Sequence, residues 1–163
     1  MVKNENLYNK YIKFKILFWL LVLVCSIIFM DVYTKKEIMN RMYLYEEYPL
    51  ASFLNLFYCQ NYGIAFSILS DGKYWQYWSV IIFSIFVIIF ILVTVYYNYS
   101  NISKSIAYAF IVGGALSNLF DRIYNGFVVD FIDFHITNFH FATFNFADIC
   151  ILSGIILLIL KKF

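Results

Sequence analysis

The sequence predicts an all-α membrane protein: four transmembrane helices in a single domain over residues 1–163, with a small external β-platform between helices 1 and 2. Three observations predict it. Of the 163 residues, 63% are hydrophobic and only 13% charged, so a soluble fold would lack the polar surface to cover itself. Four apolar stretches approach the roughly 20 residues that carry a helix across the hydrocarbon core. One Pro, six Gly, no internal repeat and no low-complexity run leave no linker at which to divide the chain. The 15 Tyr and 19 Phe fit genome-wide codon bias as well as function and carry no weight.

The first span is expected over residues 14–30. It has no small-x-small cleavage site and runs straight into Met30 and Asp31, so it reads as a retained anchor rather than a signal peptide. Residues 36–77 are too many for a turn and too apolar for a solvated loop. They predict a strand-rich platform on the membrane surface, bent at Asn61-Tyr62-Gly63, with Trp75 and Trp78 at the headgroup level. The second span, 78–97, is nearly free of polar atoms. The third, 105–120, carries Gly113, Gly114, Ser117 and Asn118 in its last turns, where pairs of small residues four apart let another helix come close. The fourth, 147–160, is short and has Asp148 in its first turn.

Orientation follows from the basic residues. Lys3, Lys10, Lys13, Lys15, Lys104, Lys161 and Lys162 flank one set of span ends against the single acid Glu5, which places both termini and Lys104 in the cytoplasm. The lysines obey the orientation rule and do not form a nucleic-acid patch.

In that topology the acids gather on the outer side. Asp31 ends the first span, Asp121 the third, Asp130 and Asp133 lie in the next connection, and Asp148 opens the fourth. A carboxylate at the hydrocarbon edge is costly unless paired or wetted, and so marks a functional site. Asn118, Asp121 and Arg122, three and four apart, would present amide, carboxylate and guanidinium on one helical face. Two carboxylates close together share a proton, leaving one as general base for water and the other as general acid. A lone Asp at a span end is also an ordinary solvated cap, which stays open for Asp31, Asp71 and Asp133. Asp121 beside Arg122 is either a structural ion pair or a participant in catalysis.

Other constellations carry less. His135 and His140 have no Cys or acidic partner at metal-ligand spacing, so no metal site is expected. Cys25 and Cys150 read as buried fillers, and Cys59 has no external partner for a disulfide. Gly113-Gly114 follows no strand and precedes no Lys-Ser/Thr, so it is packing and not a phosphate loop. A competing class is an ion-coupled transporter subunit. Against it, the acids collect at one surface and not at the midplane, and no inverted repeat is visible.

The ordered strings DVYTK (Asp31 to Lys35), NYGIAF (Asn61 to Phe66), GGALSNLFDR (Gly113 to Arg122), VVDFIDF (Val128 to Phe134) and FNFADI (Phe144 to Ile149) resemble those of the lipoprotein signal peptidases, or signal peptidase II. The resemblance implies a bacterial inner-membrane aspartyl endopeptidase, with four helices, an external platform and an active site at the outer leaflet. Such an enzyme removes the signal peptide from diacylglyceryl-modified prolipoproteins, cleaving before the lipidated Cys. Carried over by motif, Asp130 and Asp148 are the catalytic pair. Asp31, Lys35, Asn61, Gly63, Asn118, Asp121, Arg122 and Asn145 bind substrate or support the site. The resemblance implies no cofactor, no metal and no nucleic acid; the expected partners are prolipoproteins and membrane lipids, and the chain is expected to be a monomer. A non-catalytic factor that binds lipidated peptides is the alternative within this class. Two positions depart from the family pattern: Val32 where a Gln is usual, which puts a secondary polar contact in doubt, and Ser117 where a Gly is usual.

Overall fold

The computed structural model describes residues 2–63, 74–98, 101–137 and 139–160. Asp71, Lys73, Lys161, Lys162 and the Ile64–Phe66 part of the second string lie outside the described residues. Helix α1 (Val2–Arg41) is followed by strands β1 (Glu47–Ala51) and β2 (Leu54–Asn61). Helices α2 (Tyr74–Asn98) and α3 (Ile102–Asn125) come next, then β3 (Val128–Ile136), β4 (Phe139–His140) and α4 (Phe146–Leu160).

The first helix does not stop at Met30. No Gly or Pro interrupts residues 31–41, and the i,i+4 pairs Asp31–Lys35 (2.6 Å) and Glu37–Arg41 (2.7 Å) carry the helix well past the apolar stretch. Hydropathy marks where lipid can sit, whereas the backbone continues wherever side chains support it. Segments Tyr11–Arg41, Trp75–Tyr97 and Ile102–Asn125 are long and apolar enough to cross a membrane, and Phe146–Leu160 is a shorter apolar helix.

Helix α3 lies at the centre, packed against α1, α2 and α4. The Asn101 side chain caps its start by accepting from the Lys104 amide at 3.1 Å. Gly126, at φ 84°, closes its end in the left-handed conformation, its N–H bonded to the Arg122 carbonyl. The close approach expected of the small residues is realised on two sides. A Cβ on Gly113 would stand 3.0 Å from Ile27 of α1, and one on Gly114 would collide with the Ala147 carbonyl oxygen of α4. Gly154 of α4 answers from the other side, where a Cβ would come within 2.6 Å of the Ala107 carbonyl. Ile81, Ile88 and Ile91 of α2 pack with Ile111, Val112 and Leu119 of α3 in the main apolar cluster. Phe18, Phe86 and Leu152 point outward, the surface a helix bundle presents to lipid. Cys150 is buried as expected, but Cys25 is exposed on α1.

The platform is a four-stranded antiparallel sheet in the order β1-β2-β3-β4. Its expected source, residues 36–77 alone, is corrected: β3 and β4 come from the connection between α3 and α4, so the protein is mostly helical and not all-α. β3 pairs with β2 from Asn61↔Val128 to Leu54↔Phe134, with a bulge between Leu56 and Cys59. The string VVDFIDFHI has the β-branched and aromatic content of a strand, and β2 supplies the partner edge. A cluster of Ile38, Tyr58, Val129 and Phe131 fixes this sheet to the end of α1. Trp75 and Trp78 are exposed near the start of α2.

Candidate active site

The sheet and the helices meet around a single polar network. Asn145 is the residue before α4 and forms a reciprocal capping box with Asp148. Its side-chain oxygen accepts from the Asp148 amide at 3.0 Å, while its own amide donates to Asp148 Oδ2 at 3.2 Å. The Asn145 NH₂ group then reaches β3, donating to Asp130 Oδ1 at 2.6 Å and to Asn118 Oδ1 at 3.2 Å. One residue therefore starts the helix that carries Asp148 and holds Asp130 beside it.

The remaining carboxylate oxygens are held as firmly. Asn61, at the end of β2, donates to Asp130 Oδ2 at 3.0 Å, and its oxygen accepts from the Gly63 amide at 2.9 Å, making the expected bend. Asn118 of α3 donates to Asp148 Oδ1 at 2.8 Å. Each of the four oxygens thus accepts one N–H. Burial, and after it the charge of Asp148, pushes the Asp130 carboxyl up to about 6.

Behind this pair lies a buried charge cluster. Lys35, 1% exposed, puts its ammonium 2.6 Å from Asp31, 2.8 Å from Asp121 and 2.8 Å from Asn118 Oδ1. Two carboxylates and an amide oxygen thus surround this ammonium. Asp31, 0% exposed, also accepts from Ser117 Oγ at 2.7 Å and from the Ala147 amide at 2.8 Å, so it ties α1 to α3 and α4. The solvated-cap reading is thereby corrected for Asp31. Of the two readings open for Asp121, the ion pair with Arg122 is corrected: Asp121 pairs with Lys35 across the helix gap. Arg122 instead donates to the carbonyls of Asn118 (3.1 Å) and Gly63 (2.7 Å), fastening the end of β2 to α3. Ser117, the departure from the family pattern, supplies a hydroxyl to Asp31 that a glycine could not.

Asp130, Asp148, Asn61, Asn118 and Arg122 line one cavity of about 770 Å³, whose other walls include Phe134, Phe141, Phe144, Ile149, Leu152 and Ile155. All ten residues singled out as catalytic or supporting fall within this network. Asp133 does not. It is buried on the other side of β3, accepting from Asn55 at 3.2 Å and lying 2.8 Å from His140, so its solvated reading is corrected too. It is also the acidic partner that the two histidines were expected to lack. The apolar wall and Asn55 were missed by sequence reasoning, because only the strand register brings Asn55 opposite Asp133. Cys59, opposite Asp130 in that register, has its thiol pushed up to about 11 by burial and then by the Asp130 charge, which disqualifies it as a nucleophile at neutral pH.

Apolar helices and a small sheet thus surround a largely apolar cavity that carries a pair of carboxylates. Two solved bacterial membrane enzymes share the fold. One has a TM-score of 0.76 and 29% identity over 88% of this chain and 91% of that one. The other has a TM-score of 0.72 and 30% identity, covering 88% and 86%. The lipoprotein signal peptidase of Buchnera aphidicola subsp. Schizaphis graminum is 43% identical over 148 residues, which is 90% of this chain and 95% of that protein. The lipoprotein signal peptidase of Yersinia enterocolitica is 44% identical over 146 residues, covering 89% and 85%. The model of the Signal peptidase (SPase) II family matches residues 23–163. The chain belongs to the signal peptidase II family and is a peptidase.

Proposed function

We infer that this peptidase is an aspartyl endopeptidase of the bacterial inner membrane. It removes the signal peptide from diacylglyceryl-modified prolipoproteins by cutting before the lipidated Cys, with Asp130 and Asp148 as the catalytic pair. The observation that carries the reading is the pair itself: two carboxylates on one cavity, all four oxygens set by N–H donors. Such a pair holds one proton between its members. The ionised member takes a proton from water as the water attacks the scissile carbonyl, while the protonated member gives its proton to the carbonyl oxygen. The member that took the water's proton then passes it to the leaving amine as the C–N bond breaks, and the other recovers a proton from the diol hydroxyl. No covalent enzyme intermediate forms.

The apolar wall suits a lipidated substrate. Phe134, Phe141, Ile149, Leu152 and Ile155 give acyl chains and an apolar signal peptide somewhere to lie while the peptide bond meets the aspartates. In the membrane the protein has four spans, both termini in the cytoplasm, the sheet on the outer surface and the cavity at the outer leaflet. The test is to incubate purified protein, in detergent or lipid, with a diacylglyceryl-modified precursor peptide and weigh the products. Two fragments divided before the lipidated Cys are expected, and the unlipidated peptide is expected to stay whole. An intact lipidated peptide would leave a non-catalytic lipopeptide-binding role in its place.

A further inference from the structure

At the end of β3, on the side of the sheet away from the catalytic cavity, Asp133, His135 and His140 converge. One ligand atom from each lies within 4.8 Å of the others. The even positions Val128, Asp130 and Phe134 line the cavity, so the alternation of a strand sends Asp133 and His135 to the opposite face. His140 joins them because β4 pairs it directly with His135, and the two imidazoles stack with centroids 4.9 Å apart.

Two imidazoles and a carboxylate lie close enough to share one ion, each of the stacked rings offering it a nitrogen. Asp133 Oδ2 lies 2.8 Å from His140 Nδ1 and 3.8 Å from His135 Nδ1. Ligand atoms each about 2.0–2.1 Å from a tetrahedral zinc stand roughly 3.4 Å apart, a value these two separations bracket. A second, independent observation is that His135 Nδ1 is buried with no hydrogen-bond partner among the described residues; 3.8 Å is too long for one to Asp133. The carboxylate is also held from behind. Asn55 donates to Asp133 Oδ2 at 3.2 Å and to Glu47 Oε1 at 2.6 Å, the kind of outer support that orients a metal-binding carboxylate.

We propose that Asp133, His135 and His140 bind one divalent transition ion of the zinc class through two imidazoles and one carboxylate, with water completing the coordination. Two nitrogen donors favour zinc, cobalt, nickel or copper over magnesium and calcium, which take oxygen ligands. The bound ion ties β3 to β4, and Phe134 and Phe141 beside these ligands belong to the cavity wall. The site thus pins a segment that shapes the cavity while standing apart from the aspartate pair, and it does not depend on how the peptide bond is cut.

The full chain, purified in detergent with a histidine-free tag and stripped with chelator, is titrated with Zn²⁺ against a chromogenic chelator. One ion per chain is expected. His140, half exposed, can be replaced without disturbing the core, so His140→Ala should weaken binding by about tenfold or more, and His135→Gln likewise. Cobalt in place of zinc should show nitrogen and oxygen ligation without thiolate bands. No uptake by the unaltered chain, affinity in either variant unchanged from that of the unaltered chain, or thiolate bands from a cysteine would each overturn the proposal.

Discussion

Asp130 and Asp148 reach the same cavity from a strand and a helix, and asparagine side chains set their spacing. Asp130→Asn or Asp148→Asn keeps size and most hydrogen bonding but removes a group that must pass protons. Each should cut turnover of the lipidated precursor by on the order of 10³-fold or more at matched folded protein. Since the two act as a unit, the double variant should be no worse than either single one, and substantial turnover by a single variant would mean the pair is wrongly chosen. The sign of the pH dependence follows from the proton they share. With Asp130 at about 6, raising the pH through that value strips the proton that the acid must donate, so kcat/KM should fall on the alkaline side with a midpoint near 6. A rate that climbs through that range would contradict the assignment. Lys35 offers a test of support as distinct from chemistry. Lys35→Met leaves Asp31 and Asp121 buried without their cation, and denaturation in detergent should show a loss of about 3–5 kcal/mol. These residues were legible as types and spacings, because polar groups are rare in an apolar chain. Their burial was not, since whether Asp31 caps a helix in water or faces Ser117 and Ala147 depends on which helices meet there.

Helices α3 and α4 pack with almost nothing between them, and the position of Asp148 relative to Asn118 depends on that closeness. Gly114→Val places a branched side chain against the Ala147 carbonyl and Ile151, one turn or less from Asp148. Overpacking of this kind costs about 1–3 kcal/mol. It should lower the Tm in detergent and reduce turnover together, whereas Gly126→Ala, strained by its φ of 84° but with no atom near its missing Cβ, should lower the Tm and spare activity. Equal effects of the two substitutions would show that the helix contact does not position the site. Gly113 and Gly114 announced this contact in the sequence because close approach leaves a residue-level trace. Strand pairing left none: β3 was readable as an acidic connection, and its partner β2 lies about seventy residues away across two helices, so the shared sheet could not be seen in either string alone.

For the molecule as a whole, the described part of α4 bears on where the site sits. Its 15 residues extend about 22 Å, against a hydrocarbon core of about 30 Å. If α4 crosses with its start towards the outer surface, Asp148 in its first turn stands near the hydrocarbon edge, on the cavity it lines. This placement requires the sheet outside and the α2–α3 turn inside. Single cysteines replacing Tyr48 and His140, both exposed, should react with a membrane-impermeant thiol reagent added to intact cells, in a background lacking Cys25, Cys59 and Cys150. A cysteine at Lys104 should react only after the membrane is opened. This orientation rests on the apolar spans and the lysine pattern, since lipid and charge act on the chain locally. Reaction at 104 in intact cells with silence at 48 and 140 would invert the topology and move the aspartates to the cytoplasmic face, where a peptidase for exported lipoproteins has no substrate to cut.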